Sequence, residues 1–108
     1  MTQPLKRHPS LPMTHPGVLL MREVLQPENI SPSRLSGAMG LSRASVSRVT
    51  TGKSAISADF AQRLELAIGV SAEFWVRMQG AYDLWKARQD VPEVRPLRAR
   101  ELASLSQT

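Results

Sequence analysis

The sequence predicts a small all-α domain built from five helices. Apolar residues recur at intervals of three and four along most of the chain, which is the spacing of one helical face. Serine, a favoured residue at the start of a helix, precedes four of these stretches, at Ser31, Ser42, Ser57 and Ser71. The 108 residues suffice for one modest core, and the absence of cysteine excludes a disulfide framework and a thiolate metal site.

The first helix is predicted to begin near Pro16 and to run to about Gln26. Proline is favoured at a first helical position because its missing N–H would have no partner there, and Pro27 ends the helix. The predicted core face consists of apolar side chains at helical spacing, namely Val18, Leu19, Met21 and Leu25.

Residues 35–53 predict a helix–turn–helix. Its first helix has a start signal at Ser31 and Pro32, and it places Leu35 and Met39 on one face. Gly40 follows, where the chain must turn sharply and a residue that tolerates positive φ is needed.

The second helix of this motif is predicted to begin after Ser42 and to bury Val46 and Val49. Its outward face is small, polar and rich in hydrogen-bond donors, which suits a DNA major groove: Arg43, Ala44, Ser47, Arg48 and Thr51. The pattern is also compatible with a helical hairpin whose polar face is only solvated.

Charge favours the DNA interpretation over a solvated face, which normally mixes both signs. Residues 29–58 contain no Asp or Glu but four basic side chains: Arg34, Arg43, Arg48 and Lys53. The whole net charge of +5 lies in the first half of the chain, for which nucleic acid is the natural partner and an anionic membrane the competing one. No signal peptide or span of roughly 20 apolar residues is visible, so we expect a soluble cytoplasmic protein.

Two further helices follow the motif. The fourth is predicted at residues 58–68, capped by Ser57 and ended by Gly69. Its inward face is apolar: Phe60, Leu64, Ala67 and Ile68. The fifth, at residues 72–89, is predicted to be capped by Ser71.

The fifth helix carries a wide aromatic stripe. Part of this stripe must close the domain's own core, and we expect its outer part to meet another chain. The candidate dimer or partner contacts are Phe74, Met78, Tyr82 and Trp85. The preferred pairing surface is the fifth helix with the C-terminal side of the fourth.

The ends are predicted to lie outside the helix–turn–helix domain of residues 14–89. Residues 1–13 contain three prolines and a basic cluster, and form either an arm that touches DNA or a plain disordered tail. In the C-terminal tail, residues 90–108, residues 97–105 form either a short amphipathic turn or a segment that a partner orders.

Catalysis is not expected. The two histidines, His8 and His15, both precede the first helix in proline-rich sequence, and no paired carboxylates, phosphate loop or metal-ligand cluster appears. We therefore predict a binding protein without an enzymatic activity, a cofactor, a metal or a small-molecule substrate.

Ordered landmarks across about residues 13–88 resemble the HigA family of addiction-module antitoxins, within the phage-repressor-like (XRE) superfamily. They are residues 15–17 (HPG), 41–43 (LSR), 51–53 (TGK), 56–59 (ISAD), 63–64 (RL), 71–75 (SAEFW), 79 (Q) and 81–84 (AYDL). The resemblance implies a five-helix lambda-repressor-like domain that acts as a dimer on a palindromic operator, represses its own operon and neutralises a HigB-type RNase toxin.

The resemblance also implies residue roles. Base edges would be contacted by Arg43, Ala44, Ser47 and Arg48. Phosphates would be contacted by Ser33, Ser45, Thr51 and Lys53, and the candidate phosphate set also includes Ser42 and Arg34, the latter either reaching phosphate or remaining solvated. The alternative functions are an XRE-family regulator without a toxin partner and an adaptor that works through its aromatic helix.

Overall fold

Five helical segments joined by short turns, and no strand, make up residues 12–97, the part of the chain that the computed structural model describes. The first segment, α1, has two parts, Pro16–Leu19 and Leu20–Leu25. The others are α2 (Pro32–Met39), α3 (Arg43–Thr50), α4 (Ala58–Ile68) and α5 (Ala72–Ala87). The predicted all-α, five-helix fold is confirmed.

Helix α1 widens after its first turn. From Leu20 to Leu25 it is a π-helix, in which an N–H bonds to the carbonyl five residues back, as the Gln26 N–H does with the Met21 oxygen at 2.9 Å. Leu20 and Leu25, five residues apart, are therefore both fully buried. The predicted core face is correct at Leu25, which is fully buried, and at Met21, which is half-buried and packs against the core. Val18 and Leu19 are only half-buried, because the prediction assumed the 3.6-residue period.

The start of α1 presses against α3. His15 precedes the helix, and its Nδ1 accepts a hydrogen bond from the Gly17 N–H at 2.9 Å. Gly17 lies so close to α3 that a Cβ there would overlap the Val49 carbonyl oxygen. Glycine is therefore required at position 17 by close backbone approach rather than by a positive φ.

Helix α2 has the predicted boundaries. The Ser31 hydroxyl accepts from the Arg34 N–H at 3.0 Å, and Gly40 ends the helix with a φ of +69°. Arg63 of α4 donates from Nη1 to the Met39 carbonyl oxygen at 2.6 Å. A cation thus binds the carboxyl end of α2, where the helix dipole favours positive charge.

Helix α4 also has its predicted boundaries, with Ser57 accepting from the Phe60 N–H at 3.1 Å and Gly69 ending it at a φ of +84°. The prediction of its inward face was wrong at one position. Ala67 is exposed and Ala61 is fully buried, because the buried stripe lies further round the helix than predicted.

Helix α5 is two residues shorter than predicted and is not capped as expected. The Ser71 hydroxyl donates to the Glu73 carboxylate at 2.9 Å and accepts from no backbone N–H of the helix. Trp75 is buried in the core, whereas Phe74 is about half exposed.

The core unites all five helices. It consists of Leu20, Leu25, Leu35, Met39, Val46, Val49, Ile56, Phe60, Ala61, Leu64 and Trp75. One buried amide crosses it: Gln79 of α5 accepts from the Ile56 N–H through Oε1 at 2.9 Å and donates to Asp83 through Nε2 at 2.9 Å. The loop after α3 is therefore fixed to α5 by a polar bond as well as by apolar contacts.

Neither terminal prediction can be compared in full with the fold. The predicted arm, residues 1–13, enters the described part only at Pro12 and Met13, and the predicted amphipathic turn, residues 97–105, only at Leu97. Residues 91–97 are exposed and form no helix. Between Pro12 and Leu97 no helix is long and apolar enough to cross a membrane.

Candidate nucleic-acid interface

Helix α3 has one buried and one exposed side. Val46 is completely buried and Val49 nearly so, against the core. The four predicted base-reading residues are all exposed: Arg43, Ala44, Ser47 and Arg48. The sequence-predicted orientation of this helix is confirmed; the DNA contacts of these side chains stay predictions.

The amino end of α3 is fixed by a pair of serines. The Ser42 hydroxyl accepts from the Ser45 N–H at 3.1 Å and donates to the Ser45 hydroxyl at 2.8 Å. The proton of Ser42 is therefore engaged. Ser45 itself is exposed in the first turn of the helix, near its positive end.

The carboxyl end of α3 is closed by the following loop. The N–H groups of Lys53 and Ser54 both donate to the Arg48 carbonyl oxygen, at 2.8 and 2.9 Å. Gly52 makes this possible with a φ of +81°. The Thr51 hydroxyl donates to the Ser47 carbonyl at 2.7 Å, so it must break this bond before it can donate to a phosphate.

Ser33 and Arg34 lie exposed in the first turn of α2. Lys53 is exposed in the loop after α3. The predicted phosphate-contacting residues therefore occupy three places: the start of α2, the start of α3 and the loop that follows α3. All six are exposed to solvent.

In the part of the chain that the structure describes, no acidic side chain forms an ion pair with the cations around α3. The first acidic residue after the motif is Asp59, and it forms an ion pair with Arg63 at 2.9 Å. The only other ion pair within the described part of the chain, between Arg22 and Glu23, lies on α1. The cations around α3 are therefore available to a polyanion.

Arg48 has a protein partner that the sequence did not indicate. Its Nε donates to the Ser54 hydroxyl at 3.1 Å, and the two side chains line a surface cleft of about 280 Å³ between α3 and the start of α4. Sequence patterns missed Ser54 because its position depends on the path of the loop around Gly52. Gly17 and Gln79 appeared only as family landmarks, and their contacts with Val49 and Ile56 were not predicted.

His15 is partly buried and contributes to hydrogen bonding and packing at the start of α1. Its ring meets Tyr82 edge-on, with the ring centres 5.1 Å apart, and its Nδ1 is engaged by the Gly17 N–H. Partial burial lowers the pKa of His15; the carboxylate of Asp83 opposes this effect and the nearby Lys86 adds to it. Between Pro12 and Leu97, no group of three or more His, Asp and Glu side chains is placed to hold a metal ion.

The candidate partner contacts of α5 do not all lie on one exposed face. Met78, Tyr82 and Trp85 are half-buried, and Tyr82 lies between His15 and Trp85, the centre of the latter ring being 5.8 Å away. Phe74 is the most exposed of the four and meets Trp75 edge-on at 5.1 Å. The role of these residues in an interface stays a prediction.

Comparison with known proteins identifies the family. A family model described as helix-turn-helix (HTH_3) matches residues 21–75, which include α2, α3 and α4. Antitoxin HigA-1 of Vibrio cholerae is 38% identical over 85 residues, covering 75% of this chain and 80% of that protein. The chain belongs to the HigA family of helix–turn–helix antitoxins. The resemblance seen in the sequence landmarks is confirmed.

Solved structures of HigA-family relatives show the same fold. The Pseudomonas aeruginosa antitoxin HigA, solved with the higBA promoter, has a TM-score of 0.70 and 36% identity, with coverage of 79% of this chain and 98% of that one. PA4674 of the same organism, solved with its 18-bp operator DNA, has a TM-score of 0.72 and 35% identity, with coverage of 81% and 98%.

Proposed function

We propose that this HigA-family chain is a DNA-binding antitoxin that represses its own operon and neutralises a HigB-type RNase toxin. The observation that carries the proposal is the exposed face of α3, which offers donors and a methyl group but no acid, on a scaffold shared with relatives solved on promoter or operator DNA.

Base reading is assigned to the exposed face of α3. Arg43 and Arg48 have the donor geometry for a bidentate pair with the O6 and N7 of guanine, and such a pair discriminates against a wrong base by about 1–3 kcal/mol. Ala44 offers a methyl group to the methyl of thymine, and the Ser47 hydroxyl serves as donor or acceptor.

Phosphate contacts are assigned to groups at the edges of this face. Arg34 and Lys53 supply charge, and Ser33 lies with Arg34 in the first turn of α2. At the start of α3, Ser45 supplies the donating hydroxyl and Ser42 holds it in place. Thr51 joins this set only by exchanging its bond to the Ser47 carbonyl for one to a phosphate.

A homodimer is part of the proposal. Helix α3 has eight residues, too few to specify a long site alone. Two copies related by a two-fold axis would read a palindrome whose half-sites lie about 34 Å apart, one turn of DNA. We assign the pairing surface to α5 and the end of α4, where Phe74 and Leu66 are exposed.

In this proposal the chain acts by binding and uses no cofactor, catalytic group or membrane anchor. Because it binds bacterial operator DNA, we propose that it is located in the cytoplasm. A second candidate is an XRE-family regulator without a toxin. The observation in its favour is a relative named for transcriptional regulation alone, the uncharacterized HTH-type transcriptional regulator YddM of Escherichia coli, which is 32% identical over 67% of this chain and 77% of that protein.

One experiment tests DNA binding and a second separates the two candidates. In a gel shift, the protein should form a discrete complex with the DNA upstream of its own gene and none with a scrambled duplex of equal length. The antitoxin proposal also requires a gene for a small basic protein next to this one; that protein should stop growth when expressed alone, and co-expression of this chain should restore growth. Operator binding without rescue would favour the toxin-free regulator.

A further inference from the structure

We propose that Ser54 is a positioning residue that fixes the guanidinium of Arg48 so that its two terminal nitrogens read a guanine end-on. The proposal rests on operator binding through α3. It adds a specificity-determining residue that lies outside the recognition helix.

The contact that carries this inference joins two side chains six residues apart. The Arg48 Nε donates to the Ser54 hydroxyl at 3.1 Å. The backbone connects the same two residues separately, since the Ser54 N–H donates to the Arg48 carbonyl oxygen at 2.9 Å. Removing the hydroxyl therefore changes the position of the guanidinium and leaves the backbone closure of α3 in place.

Ser54 is a firm support because its loop is anchored on both sides. On one side, Gly52 packs against Val18 and His15. A Cβ added at Gly52 would lie 3.3 Å from the Val18 side chain and 3.6 Å from the His15 side chain. On the other, the Ile56 N–H is bonded to the buried Gln79 side chain at 2.9 Å.

The bond to Ser54 selects one way of presenting Arg48. A guanidinium has five N–H donors, and it can pair with guanine through Nε and one terminal nitrogen or through both terminal nitrogens. With Nε donating to Ser54, only the second pairing remains. A long side chain held in this way also loses less conformational freedom when DNA binds.

Within residues 12–97, no carboxylate forms an ion pair with the Arg48 guanidinium. Asp59 lines the same cleft, but its carboxylate is paired with Arg63 at 2.9 Å. Arg48 therefore keeps its full charge and its terminal donors, and a neutral hydroxyl orients it without cancelling either.

The test is a double-mutant cycle measured by fluorescence anisotropy on a duplex of the DNA upstream of the gene. Arg48→Ala should weaken binding about 5- to 150-fold, the range of one bidentate base contact. Ser54→Ala should weaken it about 2- to 12-fold, the range of one hydrogen bond. In the Arg48→Ala background, Ser54→Ala should change the Kd by less than about twofold.

A base analogue locates the effect. Each operator guanine is replaced in turn by 7-deazaguanine, which lacks the N7 acceptor. At one position the wild type should lose affinity, Arg48→Ala should lose none, and Ser54→Ala should lose less than the wild type. Ser54→Thr, which keeps the hydroxyl, should restore wild-type behaviour. Ser71→Ala is the matched control, because Ser71 precedes α5 and its side chain caps no backbone N–H.

The outcomes separate this proposal from the function on which it rests. In one outcome, the wild type prefers the upstream duplex, and Ser54→Ala has the same effect, or none, in the wild-type and Arg48→Ala backgrounds. This would overturn the positioning role and leave operator binding intact. A wild-type protein without preference over scrambled DNA would overturn operator binding and this proposal with it.

Discussion

Replacing Gly17 with alanine should destabilise the domain, although alanine is normally the better helix former. A Cβ at this position would overlap the Val49 carbonyl oxygen and lie 2.6 Å from the carbonyl carbon, where ordinary contact begins near 3.4 Å. The obstacle is backbone, so no side-chain rotation relieves it. Helix α1 must move away from α3, the helix proposed to read DNA.

The size of the effect follows from two opposing terms. Alanine for glycine in a helix gains about 0.5–1 kcal/mol, whereas forcing extra atoms into a filled space costs about 1–3 kcal/mol and more when the backbone must shift. The upper end of that cost, about 3 kcal/mol or more, applies here, so after the helical gain is subtracted we expect Gly17→Ala to lower the free energy of unfolding by at least about 2 kcal/mol. In a domain of this size each kcal/mol lowers Tm by about 4–8 °C.

Gly37→Ala is the matched control. Gly37 lies inside α2, and an added Cβ there meets nothing within 4 Å. The same substitution should therefore raise the free energy of unfolding by about 0.5–1 kcal/mol. Both variants are measured by urea unfolding followed by circular dichroism. A Gly17→Ala protein as stable as Gly37→Ala would refute the close approach of α1 to α3.

Three further predictions concern a buried bond, pH and salt. Gln79→Leu leaves the Ile56 N–H buried without its partner, and should lower the free energy of unfolding by about 1–3 kcal/mol, measured with urea. Gln62→Leu, at an exposed position, should leave it nearly unchanged. Equal effects of the two substitutions would contradict the bond between Gln79 and Ile56. The pKa of His15 is lower in the folded than in the unfolded chain, so the unfolded chain binds the proton more readily. The free energy of unfolding should therefore fall as the pH drops below about 6.5, and this fall should end below the folded pKa. His15→Asn should abolish this pH dependence of stability in thermal melts. An unchanged pH dependence would mean that other groups cause it. Arg34 and Lys53 from each protomer of a dimer neutralise four phosphates in our proposal, so operator affinity should fall roughly 100-fold between about 50 and 200 mM salt, and a salt-independent Kd would contradict those contacts.

Helix boundaries were predictable where their causes are local. Ser31, Ser42 and Ser57 each accept from the N–H three residues on, and Gly40 and Gly69 adopt positive φ, as their neighbours in the sequence indicated. Such contacts span only a few residues, so a sequence window contains both partners. The start of α3 and both ends of α2 and α4 were predicted correctly for this reason.

Features that depend on distant partners were not predictable. The π-helical turn of α1 places Leu20 in the core instead of Val18, because packing on other helices decides its register. The missing cap of α5 has a different cause. Ser71 bonds to Glu73 instead of to the helix backbone, and composition does not decide between these two local partners.

The candidate site shows the same division. The burial of Val46 and Val49 followed from their spacing. Because these two residues face the core, Arg48 was correctly predicted to lie on the exposed face of α3. The bond between Arg48 and Ser54 did not, because it requires the loop to turn back at Gly52 and to be anchored by α5. Sequence therefore predicted which face is presented and not how its longest side chain is held.

The central claim is that the exposed face of α3 reads the operator. It is tested most directly by comparing two variants that each lose one positive charge, Arg43→Ala on α3 and Arg22→Ala on α1, in anisotropy titrations on the upstream and scrambled duplexes. Arg22 forms an exposed ion pair with Glu23, which contributes little to stability. We predict that Arg43→Ala weakens binding to the upstream duplex about 5- to 150-fold and reduces the preference over scrambled DNA, while Arg22→Ala changes both by less than about twofold. Equal losses in the two variants would mean that the protein senses only net charge, and would contradict sequence reading by α3.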